Sequence, residues 1–326
     1  MKWATLIFFS VVLWGCGQAN STPPAANPAA GVDNAELEKT LWDVDEQWLC
    51  SGPYVKSYKD CVQFRAKYWA DQFFEVIPSG ELLNKEEMVA TQAERIPMNP
   101  DPRTAPYPDA FKLRAVYGDF AMATDHTYFK SKDKNGDFVF TTNSKVLRLF
   151  TKVNGTWRPA AAGLVPVIQS NAPATPVEHL KATRGSPDPE LEKQLAEVDR
   201  AWMDSSNMKK RVAYVSNLFA PQWFEILGWD PTANIDKPTT IEILSKIKDN
   251  PPLGVVQDQF RLLAIYGDVA LATDRLTRSA KNDKGQVVRT PHQTVLVFVK
   301  QNGEWKSAGA SLTPIMASVE RAAKGD

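Results

Sequence analysis

The sequence predicts an α+β protein built from two tandem units, each an N-terminal helix pair packed on a curved antiparallel sheet. Three repeated blocks predict it. Glu36-Leu37-Glu38-Lys39 returns as Glu190-Leu191-Glu192-Lys193, and Leu41, Val44, Asp45 and Trp48 return as Leu195, Val198, Asp199 and Trp202, all at an offset of 154. FKLRAVYGDFAMATD (111–125) aligns with FRLLAIYGDVALATD (260–274) at ten of fifteen positions. Asn154-Gly155-Thr156-Trp157 returns as Asn302-Gly303-Glu304-Trp305. A period this long is no solenoid, and each copy is large enough to enclose its own core.

The elements follow in order. Leu37, Leu41, Val44 and Trp48 recur at i, i+4, i+7 and i+11, the spacing of one helical face. Pro189 opens the matching helix of the second copy, where proline is tolerated. A second helix is expected over 62–72 and 208–219, then a short strand, Phe73–Ile77 and Trp223–Leu227. Asn84-x-x-Glu87 and Thr239-x-x-Glu242 read as capping boxes opening a short helix. The rest is strand. Gly118-Asp119 and Asn154-Gly155 turn one strand into the next, and Lys134–Asp137 forms a longer turn. Helices first and a meander last make an α+β unit.

The chain starts differently. Lys2 precedes a short apolar run, Trp3–Trp14, too brief for a membrane span of about 20 residues but suited to a secretory signal. Leu13-Trp14-Gly15-Cys16 resembles the bacterial lipoprotein box, which implies cleavage before Cys16 and lipidation of its thiol. Trp14 departs from that pattern, which usually has a small residue there. Residues 17–33 are rich in Pro, Ala and Asn and read as a solvated spacer. The expected organisation is a signal peptide at 1–15, a tether at 16–33, domains at 34–168 and 188–317, a linker at 169–187 and a tail at 318–326. The address is then the bacterial envelope, facing the periplasm. Gly17 after the Cys, in place of Asp, favours the outer membrane on the same resemblance. In that oxidising compartment Cys50 and Cys61 are expected to form a disulfide worth about 3 kcal/mol, with Ser51-Gly52-Pro53 supplying the loop.

An amphipathic helix carrying Asp-x-x-Trp, a capped helix after an aromatic strand, Tyr-Gly-Asp-x-Ala at a hairpin and a final Asn-Gly-x-Trp resemble the nuclear transport factor 2-like superfamily, particularly its SnoaL-like and ketosteroid-isomerase-like branch. The resemblance covers about 265 of the 326 residues. It implies two tandem cone-shaped α+β barrels, each with a pocket between helix and sheet, used across the family for isomerisation, for ligand binding, or for nothing chemical. It also implies pairing through the sheets, which a tandem chain can satisfy within itself as an intrachain pseudo-dimer.

Function classes narrow further from composition. Lys and Arg total 38 against 38 Asp and Glu, so no long-range positive field attracts nucleic acid. Three His at scattered positions give no metal-ligand spacing, and no dinucleotide, phosphate-loop or nucleophile-elbow motif occurs, so neither metal nor cofactor is expected. Asp45 and Asp199 flank the apolar stripe of the leading helices and are the candidate catalytic acids. Trp48, Trp202, Asp125 and Asp274 are the candidate pocket residues, and core packing accounts for most of them equally well. The leading expectation is a lipid-anchored protein binding a small apolar molecule or a partner protein without catalysis. The alternatives are an acid–base enzyme using Asp45 or Asp199 on a hydrophobic substrate, and a structural module of an envelope assembly.

Overall fold

The computed structural model describes residues 34–48, 65–95, 107–132, 138–167, 185–203, 208–227, 234–246, 255–281 and 287–315. The signal segment, Cys16, the tether, the expected Cys50–Cys61 disulfide and the 318–326 tail lie outside the described residues.

In the first repeat the order is α1 (Asn34–Trp48), β1 (Phe74–Val76), β2 (Leu82–Asn84), α2 (Lys85–Arg95), β3 (Tyr107–Tyr117), β4 (Phe120–Lys132), β5 (Phe138–Val153) and β6 (Thr156–Pro166). Residues 65–68 are also helical. The second repeat runs α3 (Pro189–Met203), α4 (Met208–Leu218), β7 (Phe219–Leu227), β8 (Asn234–Asp236), α5 (Lys237–Lys246), β9 (Val255–Tyr266), β10 (Val269–Lys281), β11 (Val287–Gln301) and β12 (Glu304–Pro314). Each repeat is an α+β unit with one six-stranded sheet, ordered β2-β1-β6-β5-β4-β3 and β8-β7-β12-β11-β10-β9.

Two expectations need correction. The sheets are mixed, not antiparallel, because β1 lies parallel to β6 and β7 parallel to β12. The chain between them crosses from one edge of the meander to the other, so the first strand meets the last in the same direction. The second capping box is also misplaced. Asn84 and Glu87 exchange the two expected hydrogen bonds, each 2.9 Å. In the second repeat, however, the Thr239 amide donates to Asp236 Oδ1 at 2.9 Å. Asp236 is therefore the cap, at the place Asn84 holds, and Thr239 sits inside the first turn.

The turns carry their local chemistry. Asn154 and Gly155 have φ of 51° and 78°, and Asn302 and Gly303 of 53° and 83°, the paired positive values of a two-residue hairpin that follows right-handed strand twist. A carboxylate then fastens each leading helix to the sheet edge. Glu38 Oε2 accepts the Leu113 amide at 2.8 Å, and Glu192 Oε2 accepts the Leu262 amide at 2.7 Å. Both amides lie at register shifts that interrupt the ladder, so the glutamate satisfies a donor the sheet cannot.

Alternation along the strands gives each sheet two apolar faces. Ala121, Ala123, Val146 and Phe150 point to the concave side, where Leu37 and Leu41 of α1 pack. Phe120, Met122, Leu147 and Leu149 point to the convex side, and there they meet Leu271, Val295, Val297 and Val299 of the second sheet in one continuous core. The contact is polar at a few points: Thr313 Oγ1 donates to the Leu164 carbonyl at 2.9 Å, and the Ile265 amide donates to Gln72 Oε1 at 3.2 Å.

Near the centre, Gly163 faces Ser311, and these are equivalent positions of the two repeats, nine residues beyond Asn154 and Asn302. A Cβ at Gly163 would collide with Ser311 Oγ and lie 3.0 Å from a Val295 methyl. Gly163→Ala is expected to cost about 1–3 kcal/mol by overpacking the contact, and Ser311→Gly in the same chain to recover most of it. Urea denaturation of the parent and the two variants checks this.

Candidate functional site: the buried acid cluster under the first helix

Asp45 follows Leu37 and Leu41 at i+8 and i+4 on the buried face of α1, and it is fully excluded from solvent. Asp125 follows Ala121 and Ala123 in the concave row of β4, with Thr127 next on the same face. Arg148 stands in the concave row of β5 between Val146 and Phe150. The three meet. Arg148 Nε lies 2.9 Å from Asp45 Oδ1 and 3.2 Å from Asp125 Oδ2, and Arg148 Nη2 donates to Thr127 Oγ1 at 3.1 Å. Glu75 of β1 and Arg65 are buried alongside.

Electrostatics set the protonation of this cluster. Burial pushes the Asp45 carboxyl well above its ordinary range; Arg148 opposes that, and Asp125, close enough to hydrogen bond, reinforces it. Burial likewise raises Glu75 to about 6, against the pull of Arg148 and Arg65. Burial alone would lower the Arg148 guanidinium, but Asp125, Asp45 and Glu75 together hold it above its usual value. Arg148 is thus a fixed cation among three acids, and the surplus negative charge is relieved by protonation of Asp45 and, near pH 6, of Glu75.

The second repeat keeps the acids and replaces both cations. Asp199, Glu225 and Asp274 are all buried. Leu296 stands where Arg148 stands, counted back from the Asn-Gly turns, and Val215 where Arg65 stands, counted back from Glu75 and Glu225. Amides take over part of the compensation. Gln257 Nε2 donates to Asp199 Oδ2 at 2.9 Å, and the Gln259 amide donates to Asp274 Oδ1 at 3.2 Å. Thr294 Oγ1 bridges the Asp274 backbone, accepting its amide at 2.9 Å and donating to its carbonyl at 3.0 Å.

The structure therefore brings Asp45 and Asp125 together. Trp48 ends α1 and Trp202 is the penultimate residue of α3, and their side chains lie outside the described residues. Tyr117 and Tyr266, the repeated tyrosines, sit against the core between the two sheets rather than in the cups. Arg148, Glu75 and Arg65 were not singled out from sequence. Two signals stood there: an arginine inside the apolar run Val146–Phe150, and a glutamate in the middle of both Phe-Phe-Glu-Val and Trp-Phe-Glu-Ile. Among the described residues no three metal-ligating side chains converge.

The chain matches no protein-family model and no curated protein. It is similar to solved structures over about one repeat. A nuclear transport factor 2-like protein from Cytophaga hutchinsonii is 16% identical and covers 41% of this chain and 94% of its own, with a TM-score of 0.28. A nuclear transport factor 2-like superfamily protein from Salmonella enterica is 16% identical, covering 40% and 94%, with a TM-score of 0.33. A protein of the same description and unknown function from Pseudomonas aeruginosa is 18% identical, covering 38% and 97%, with a TM-score of 0.31. Matches of this kind cover each half of the chain.

Two outcomes follow from the cluster. Arg148→Leu leaves Asp45, Asp125 and Glu75 buried without their shared cation and is expected to destabilise the protein by about 3–5 kcal/mol at pH 7, with a smaller loss at pH 5, where the acids take up protons. Because Glu75 is raised from 4.5 to about 6, the folded state binds its proton more tightly than the unfolded chain. Its contribution is full below pH 4.5 and falls by about 2 kcal/mol as pH rises through 6. Glu75→Gln should remove that loss, so denaturation series from pH 4 to 7 should show the variant gaining on the parent as pH increases.

Proposed function

We propose that this chain is a lipid-anchored protein of the bacterial envelope, held to a membrane through Cys16 and facing the periplasm. Its two domains bind a small apolar ligand or a partner protein without catalysis. The observation that carries the non-catalytic reading is the complete burial of Asp45 in an ion pair with Arg148. A general base must reach a substrate proton directly or through one water. Asp45 instead spends its reach on Arg148, and Asp199 accepts from Gln257. The anchor reading is supported by Leu13-Trp14-Gly15-Cys16 and the spacer behind it. Among the described residues no helix is long and apolar enough to cross a membrane.

A second reading, an acid–base enzyme, is favoured by one observation: the raised Asp45 and Glu75, since perturbed carboxyls gather at catalytic sites. A thermal-shift series of lipophilic compounds on the chain from Gly31 onward separates the two. Binding without chemistry predicts a ligand-dependent shift in the parent that Asp45→Asn retains, with no change in the recovered compound. Conversion of a compound by the parent, lost in Asp45→Asn, would establish the enzyme instead. For the anchor, Cys16→Ser in the full chain should abolish labelling by radioactive palmitate and move the protein from the membrane fraction to the soluble one. Labelling that survives the substitution would refute it.

A further inference from the structure

The leading helix of the second repeat, α3, and the edge strand β9 leave between them an open groove of about 300 Å³. Lys193, Ala196 and Arg200 line it from the helix, and Gln257, Phe260 and Arg261 from the strand. At 3- and 4-residue spacing the three helical residues share one face.

The first repeat shows what made the space. Ala196 takes the place of Trp42, and Phe260 the place of Phe111. Trp42 packs edge-on against Phe111, with ring centroids 5.4 Å apart at 85°, and so fills the matching region between α1 and β3. In the second repeat the indole is gone and the phenyl ring remains. The space the indole fills in the first repeat is part of the open groove here, with Phe260 on its strand side.

Charge has changed with shape. Arg200 stands where the first repeat has Glu46, reversing the sign at one end of the groove. Lys39 of the first repeat is paired with Asp43 at 3.0 Å, whereas its counterpart Lys193 and Arg200 have no ion-pair partner among the described residues. Arg261 lies 3.5 Å from Glu192, whose other oxygen accepts the Leu262 amide. The groove thus carries two unpaired cations and one shared with Glu192, set among Gln257 and Gln259, with Ala196 and Phe260 as its apolar patch.

We infer that this groove is a binding site for a small aromatic carboxylate, its ring replacing the missing indole against Phe260 and its carboxylate held by Arg200 and Lys193. Arginine matches a carboxylate with two parallel donors, and a ring packed edge-on against phenylalanine gains contact beyond its buried area. The ring preference follows from the aromatic residue that fills the same space in the first repeat; the acid follows from the unpaired cations. The site lies at the sheet edge, outside the acid cluster, and goes beyond the function proposed above.

Isothermal titration of the full chain with indole-3-acetate tests it, with tryptamine, the same ring bearing a cation, as the sign control. Saturable binding of indole-3-acetate is expected, and tryptamine should bind at least about tenfold more weakly. Ala196→Trp should abolish binding by restoring the plug that the first repeat tolerates, and Arg200→Glu, on the exposed face, should weaken it by about tenfold or more. No saturable binding at millimolar concentration, equal affinity for tryptamine, or unchanged binding in both variants would overturn the inference. A lipophilic ligand of the cups would still shift the melting of Ala196→Trp, so loss of this site and failure of the broader reading give different results.

Discussion

Each sheet has two apolar faces, and its own helices can cover one. That constraint governs the rest of the molecule. Phe120, Met122, Leu147 and Leu149 on one convex face, and Leu271, Val295, Val297 and Val299 on the other, would stand in water if the repeats separated. At roughly 25 cal/mol per Å² of apolar surface, leaving such a face exposed would be a large loss for a domain of this size. The two sheets cover each other. Their concave sides are left to the helices, which is why α1 and α3 carry the same Leu, Leu, Asp ridge and fasten to β3 and β9 with the same glutamate.

Inside the cups, the first repeat solves a problem that the second one restates. In each repeat an Asp near the end of the leading helix, an Asp midway along the second long strand and a Glu on the short strand are all buried. Three acids in a desolvated space need a cation, hydrogen-bond donors or protons. Arg148 supplies the first in one cup, joined by Thr127. The second cup puts Leu296 there and answers with the Gln257 side chain and the Gln259 backbone amide. The acids recur in both cups while the compensation differs, so the carboxyls belong to the architecture and their partners are exchangeable. This favours a packing role for Asp45 over a chemical one.

Much of the fold was legible because repetition exposes it. A period of two around Gly118-Asp119 and Gly267-Asp268, and the Asn-Gly turns, place the meander to within a few residues. What escaped is long-range. Nothing in Phe74–Val76 says that it pairs parallel with β6, some 85 residues on, because that register depends on where the intervening chain returns. The strands β2 and β8 are three residues each, too short for a period to show. Asp45 and Asp125 were visible as repeated acids on apolar faces. Arg148 was hidden because repetition marks what the copies share, and Arg148 is where they differ.

Difference between the copies is the more informative signal. In a dimer of identical chains, any residue on the twofold axis meets itself, and a change at one site is imposed on both. Fusing the two units removes that restriction. Gly163 can then face Ser311, and Met122 can reach toward Gly309 while its counterpart Leu271 has Ala161 at the equivalent place. The first pair sets small against larger at one equivalent position, which identical surfaces cannot do on a shared axis, and the second lets an off-axis contact differ from its counterpart. The same freedom operates away from the contact. Trp42 can fill the space beside α1 while Ala196 leaves it open beside α3, and Glu46 can oppose Arg200, without either change disturbing the cup on the other side. Stability sits in what is repeated, and the capacity for a distinct ligand sits where repetition has been broken.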